Sequence, residues 1–458
     1  MRQVLFLAGV AVLLLLPLSL QAEAAEELPF AAGLCVNKAN LLIKEEKIGP
    51  AIALLEAFEA KRQGLNPQEA AQKGYDHYYI DFLLGNCFLM LDQKEKNPIH
   101  VKRAIAAFSR AVEKNTNFSP AWLNLARCCY ELGDMARAAT AFVKGYETSL
   151  EKKAEYLYYA AVCHSADQNN AQALFVFNRL LADHPEEISL EWKETLVNIF
   201  FSLEKYAQAL PWIQELADKS PDTKKRKWQE ILLYQYLTLK MEKKALAYAL
   251  FLTRTDPLEP KWWKALTHIH LEKNRLEDGL CSLMIYSFIT PLSRQETTLM
   301  ADLFMACNIP LKAAQYYEAW LELAATNTPP QETGVGPDNI QDKVAKLSQA
   351  YLSAANPGAA LEWVEKGLAM GKDPRLLRIK ADLLYGQKNF PAACDTYEQL
   401  SRFKNHEGPG LLMMGYAAWN QGLVQKAAKA FTAAASHKKQ EKAAQKALEQ
   451  IQQTARIQ

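Results

Sequence analysis

His268 and His270, the eight cysteines and a few carboxylate doublets are the side chains whose types allow metal or acid–base chemistry, and their spacing argues against most of it. On a helix His268 and His270 point about 200° apart, so the two cannot grip one ion alone. Cys128 and Cys129 are adjacent and would need distant ligands to hold a metal, and no CxxC occurs. Glu26-Glu27 and Glu186-Glu187 fall near helix starts, where negative charge suits the helix dipole. Acid–base catalysis would instead need two carboxylates facing across a cleft. There is no GxxxxGK phosphate loop, GxSxG elbow, HExxH zinc motif or GxGxxG turn after a strand. We therefore expect no catalytic, cofactor-binding or metal site and no small-molecule substrate; an unrecognised enzyme is the alternative from another class.

Whatever positions these side chains must be large and ordered. A chain of 458 residues exceeds one compact core, and 50% hydrophobic with 23% charged residues is the balance of a folded protein. Lys and Arg number 53 against 51 Asp and Glu, a net charge of +2, which gives no electrostatic case for nucleic acid. At the N-terminus, Arg2 precedes an apolar run from Val4 to Leu20, broken by Pro17 and followed by Ala22-Glu23-Ala24. This is the build of a cleaved signal peptide over residues 1–24, with an uncleaved anchor as the alternative. Cys35 follows Gly33-Leu34, the wrong context for lipidation. The mature chain is expected to be exported, periplasmic in a Gram-negative cell, with no membrane span after cleavage.

The stretch Pro120 to Tyr146 describes a helical hairpin. Trp122, Leu125 and Ala126 share one face of a first helix, Gly133-Asp134 makes the turn, and Ala138, Phe142 and Gly145 line a second helix at i, i+4, i+7. Ala138 has counterparts about every 34 residues: Ala51, Ala104, Ala173, Ala209, Ala245, Gly279, Ala313, Ala360, Ala393 and Ala427. Four residues after each stands a packing side chain, such as Phe108, Phe142, Tyr317, Tyr397 or Phe431; Ala249 is the weakest. Cys87, Cys128 and Cys163 hold one repeat position where a small apolar residue packs, so they are expected to be buried free thiols. Eight repeats over residues 30–325 and three over 340–438 are separated by the Pro/Gly-rich 326–339, a hinge or a surface loop, and residues 439–458 form a capping helix with Ala443, Ala447, Ile451 and Ala455 inward. Two further insertions lengthen the link at Lys61 to Tyr75 and the turn at Asp92 to Pro98.

The order large, large, small, turn, small, aromatic, small resembles the tetratricopeptide repeat. That resemblance implies an all-α, right-handed α-solenoid of about eleven antiparallel helix hairpins with a C-terminal capping helix. In that family, positions two, five, nine and twelve of each first helix line a concave, partner-binding groove. Here they include Tyr79, Phe82, Asn86, Arg127, Tyr130, Tyr158, Asn198, Phe201 and Tyr234, then Lys261, Lys264, His268, Arg375, Arg378, Tyr385 and Tyr416. Mixed rings and cations suit extended peptides or helices. A clamp for a C-terminal carboxylate, another use of the family, keeps its two Asn positions at Asn86 and Asn124 but loses its cations to Phe82, Glu155 and Tyr159. Lys224-Lys225-Arg226-Lys227 concentrates charge at a helix start, a solvated turn or a contact for anionic lipid or an acidic partner.

From Leu250 to Trp320 the wording is narrower. Trp262-Trp263, Pro291-Leu292, Ile309-Pro310 and Ala313-Ala314 are similar to exported tetratricopeptide proteins associated with TonB, ExbB and ExbD type systems. The resemblance implies a periplasmic scaffold that binds protein or peptide partners of the cell envelope, accessory to TonB-type outer-membrane transport. An adaptor for envelope polysaccharide export or outer-membrane assembly is the alternative within the binding class.

Overall fold

A computed structural model of the chain describes residues 28–326 and 337–457. Among the described residues there are helices and no strands. The signal-peptide region and most of the Pro/Gly-rich insertion lie outside them. Contacts divide the chain into two compact units, Met1–Lys240 and Met241–Gln458.

In the first unit the helices are α1 Phe30–Lys44, α2 Ile48–Ala60, α3 Pro67–Lys73, α4 Tyr78–Glu95, α5 Pro98–Lys114 and α6 Ser119–Glu131. They continue with α7 Met135–Thr148, α8 Ala154–Ala166, α9 Asn170–Asp183, α10 Leu190–Ser202, α11 Tyr206–Lys219 and α12 Asp222–Thr238. The second unit holds α13 Glu242–Thr255, α14 Pro260–Glu272, α15 Leu276–Ile289, α16 Arg294–Ala306, α17 Pro310–Thr326 and α18 Pro337–Ser353. It ends with α19 Pro357–Met370, α20 Pro374–Gly386, α21 Phe390–Leu400, α22 Glu407–Asn420, α23 Val424–Ala435 and α24 Glu441–Ile457. Within each unit successive helices pack as antiparallel hairpins, each touching mainly its sequence neighbours, which is the helical-repeat architecture expected.

The register is visible in burial and in the backbone. Ala51, Ala104, Ala138, Ala173, Ala209, Ala245, Ala313, Ala360, Ala393 and Ala427 are all fully buried, and so is the packing residue four further on, from Leu55 to Phe431. Five residues before the small residue the chain turns through the left-handed region at Glu46, Gly133, Gln168, Glu204, Lys240, Asn274, Asn308, Ala355, Lys388 and Gly422. The next amide then reaches back across the turn, as Asp134 N to Cys129 O at 2.9 Å and Asn356 N to Tyr351 O at 2.9 Å, which satisfies carbonyls the helix end leaves open. At two of the Phe packing sites the facing helix gives up its Cβ: one built on Gly85 would sit 2.6 Å from the Phe108 ring, and one on Gly415 2.6 Å from that of Phe431.

Three local expectations shift. The extra residues at Asp92 to Pro98 extend α4 to 18 residues against 13 in α6, leaving Lys96 and Asn97 as the turn, because hydrogen-bonded helix costs less than a longer open loop. The 61–75 link contains the short α3, capped by Asn66, whose Oδ1 accepts from Glu69 N at 2.8 Å. In α24 the inward residues are Ala444, Ala447 and Ile451, while Ala443 is exposed; the stripe begins one residue later, since 444, 447 and 451 keep the 3–4 spacing that a single face requires. The side chain of Ala455 lies outside the described residues. On either side of the insertion, Tyr317 of α17 shares one apolar cluster with Leu347 and Ala350 of α18.

Candidate functional site

In the first unit most of the mapped side chains are occupied in packing. Phe82 is 1% exposed, its ring meeting Phe118 edge-on at 5.0 Å, because the connection before α6 folds over the start of α4. Asn86 is buried and accepts at Oδ1 from Asn124 Nδ2 at 2.8 Å, so the two asparagines satisfy each other between α4 and α6. Tyr158 is also buried: it stacks on Trp192 of α10 at 4.6 Å and shares a 3.1 Å hydrogen bond with Thr195 Oγ1. Burial pushes its phenol up. These three are corrections, since a side chain enclosed by its neighbours has no area left for a partner. Tyr79, Arg127, Tyr130, Asn198 and Phe201 are half-buried, with Arg127 Nε on Glu131 at 3.0 Å and Phe201 against Tyr206 at 5.6 Å. Tyr234 alone of the nine is exposed, at 64%.

The second unit keeps its mapped residues on the surface. Lys261, Lys264, His268, Arg375 and Arg378 are exposed, and Tyr385 and Tyr416 are half-buried. Consecutive first helices are tied there by ion pairs that single positions do not announce. Lys264 of α14 meets Glu296 of α16 at 2.8 Å, Lys346 of α18 meets Asp302 of α16 at 2.9 Å, and Arg375 of α20 meets Asp342 of α18 at 2.8 Å. Glu296 is the anchor of the set. Burial alone would raise its carboxyl, but hydrogen bonds from Lys264, Ser293 and Tyr286 outweigh it and hold the group at about 2.

A second device runs inside the hairpins. Tyr317 donates to Asp302, and Tyr397 donates to Asp382 at 2.7 Å; each pair is 15 residues apart and joins the two helices of one hairpin. Burial, followed by the bonded carboxylate, drives both phenols far up. The sequence signal was available: where the packing residue after the small marker is Tyr rather than Phe, Asp stands at the ninth position of the first helix.

Against this background one groove stands open, about 690 Å³ in volume, between α18, α20 and the start of α22. Leu352, Ile379 and Leu383 give it an apolar wall, and Gln349, Arg378 and His406 supply polar groups. Arg375 is held by both Asp373, at 2.8 Å, and Asp342. Arg378 is looser: its Nε lies 3.7 Å from Asp382 and its side chain is 66% exposed, so it is the guanidinium that an incoming anion meets first.

The remaining candidates for chemistry are packed or tied. Cys35, Cys87, Cys128, Cys129, Cys163 and Cys394 are buried free thiols, and burial pushes Cys87 and Cys163 up to about 12, far from the thiolate a nucleophile needs. His270 is buried and His268 exposed, on opposite sides of α14 as their spacing requires. Lys224 of the basic run pairs with Glu194 of α10 at 2.9 Å. Among the described residues no group of three or more His, Cys, Asp or Glu could hold a metal ion, and no helix is long and apolar enough to cross a membrane.

Stacked antiparallel hairpins with a fixed small-residue register and an open first-helix groove define a helical-repeat scaffold. Residues 100–152, which cover most of α5 with α6 and α7, match the family described as tetratricopeptide repeat. Solved structures similar to it include the Naa15/Naa10 complex bound to HypK-THB, at 15% identity over 92% of this chain and 73% of that one, with a TM-score of 0.38. YrrB, described as a TPR protein with an unusual peptide-binding site, is 19% identical over 42% of this chain and 95% of its own, with a TM-score of 0.31. The TPR domain of P58(IPK) is 11% identical over 86% and 99%, with a TM-score of 0.24. No curated protein matches the chain.

Proposed function

We propose that the chain is a non-catalytic scaffold whose second unit captures a protein or peptide partner in the groove between α18, α20 and α22. The observation that carries this reading is the groove itself: an apolar wall of Leu352, Ile379 and Leu383 beside the loosely held Arg378, with the groove's other guanidinium, Arg375, already matched by Asp342 and Asp373. An extended segment with an apolar side chain and an acidic neighbour satisfies both parts. The same reading places the protein in the periplasm after removal of residues 1–24, as an accessory of a TonB-type outer-membrane transport system. Its support is the Val4 to Leu20 run with Ala22-Glu23-Ala24 and the wording from Leu250 to Trp320.

The test combines Arg378→Glu with Ile379→Ser in the full chain and compares capture from envelope extracts with wild type, by mass spectrometry. Loss of a captured protein at unchanged helicity is expected. Identical capture by both chains removes the groove as the binding site. Location is read separately from the intact mass of the exported chain, which should lack the first 24 residues; a full-length chain confined to the cytoplasm overturns that part.

A further inference from the structure

The outward faces of two second helices carry an arrangement that the groove leaves unexplained. On α13, Lys243, Ala247, Phe251 and Arg254 recur at helical spacing and are all exposed, with Lys244 beside them. Phe251 is 50% exposed and lies flat against Tyr248 at 6.0 Å. On α15, Cys281, Ile285 and Phe288 continue the pattern, Phe288 at 83% exposure; Leu258, in the turn after α13, stands at 77%. Phe251 and Ile285 are one repeat apart and hold the same repeat position, and α13 and α15 both pack on α14.

Exposed apolar side chains gathered on one face and rimmed by polar groups mark interaction sites. The flanking charge narrows the use. Lys243, Lys244 and Arg254 are exposed and, among the described residues, form no ion pair, unlike the cations of the groove side. Glu277 is exposed on α15 at the repeat position of Lys243, so the unmatched positive charge of this face belongs to α13. The rings stand out into solvent, and a fluid surface accepts protruding rings without needing a complementary shape.

We propose that this face of α13 and α15 docks onto an anionic lipid surface, with Phe251, Leu258 and Phe288 entering the boundary between headgroups and acyl chains. Lys243, Lys244 and Arg254 then meet lipid phosphates, the pairing of apolar and cationic groups that holds interfacial helices. The test is co-sedimentation of the full chain with phosphatidylglycerol-containing vesicles and with pure phosphatidylcholine vesicles. Wild type should prefer the anionic vesicles, less so at high salt. Phe251→Ser with Phe288→Ser, and separately Lys243→Glu with Lys244→Glu, should each weaken that binding by about tenfold or more. All four side chains are solvent-facing, so circular dichroism should not change, and the apolar residues 4–20 are common to every chain, so only the differences count. Equal binding by wild type and variants overturns the proposal. So does a wild-type oligomer that the Phe variant turns into monomer with vesicle binding unchanged, which would make this face a self-interface, or loss of an acidic protein partner with vesicle binding unchanged.

Discussion

His270 is buried in α14 with its Nδ1 lacking a hydrogen-bond partner, and burial holds its imidazole below the ordinary value, despite the opposing pull of Asp278. The fold therefore prefers the neutral ring, whereas the unfolded chain takes up a proton near pH ~6.5. Its contribution to stability is complete above that value and is lost as pH falls through the lower folded value. His164 of α8 is lowered by burial in the same direction, so His270 accounts for part of the acid sensitivity. Glu296, held at about 2, stays ionised throughout this window and adds nothing to the change. Melting midpoints at about pH 7.5 and about pH 5.5 should show a larger loss for wild type than for His270→Leu. An equal loss in both would mean that His270 is not the group titrating. The thiols illustrate the same physics without a switch, because a Cys pushed up to about 12 stays neutral across the range in which the protein works.

At the scale of the hairpin, the turn between α18 and α19 places Ala355 at φ 56°, where its Cβ crowds the following carbonyl. Gly133 and Gly422 occupy the equivalent turns without that cost. Ala355→Gly should stabilise the protein by about 0.5–1 kcal/mol, the relief of the left-handed strain less the greater freedom of an unfolded glycine. A lowered denaturation midpoint would show that the turn tolerates Ala for a reason outside the backbone. Elements of this kind were legible from residue types, because the small marker, its packing partner and the turn lie within ten residues of one another. The site was less legible. Position within a first helix says which way a side chain faces, but not what the neighbouring repeat sets against it: Arg375 looked available until Asp342, 33 residues earlier, came alongside, and Lys264 until Glu296 did. Phe82 and Asn86 faced the right way and were covered by Phe118 and Asn124. The Ala443 assignment failed more simply, by one residue of phase in a helix rich in Ala.

Across the whole molecule, contacts between helices are overwhelmingly between sequence neighbours, so stability should be distributed along the chain as repeat terms plus nearest-neighbour terms. A defect then remains local. Gly415 of α22 offers a clean way to introduce one, since an added Cβ would lie 2.6 Å from the Phe431 ring of α23, in a core that also includes Tyr397 of α21 and Ala447 of α24. Gly415→Ala should cost about 1–3 kcal/mol through that overpacking. In amide hydrogen exchange the cost should appear as faster exchange in α21 to α24, with α4 to α8 of the first unit unchanged, because no shared core carries the strain that far. Equal loss of protection in both units would instead describe a single cooperative body, and nearest-neighbour bookkeeping would then fail for this protein.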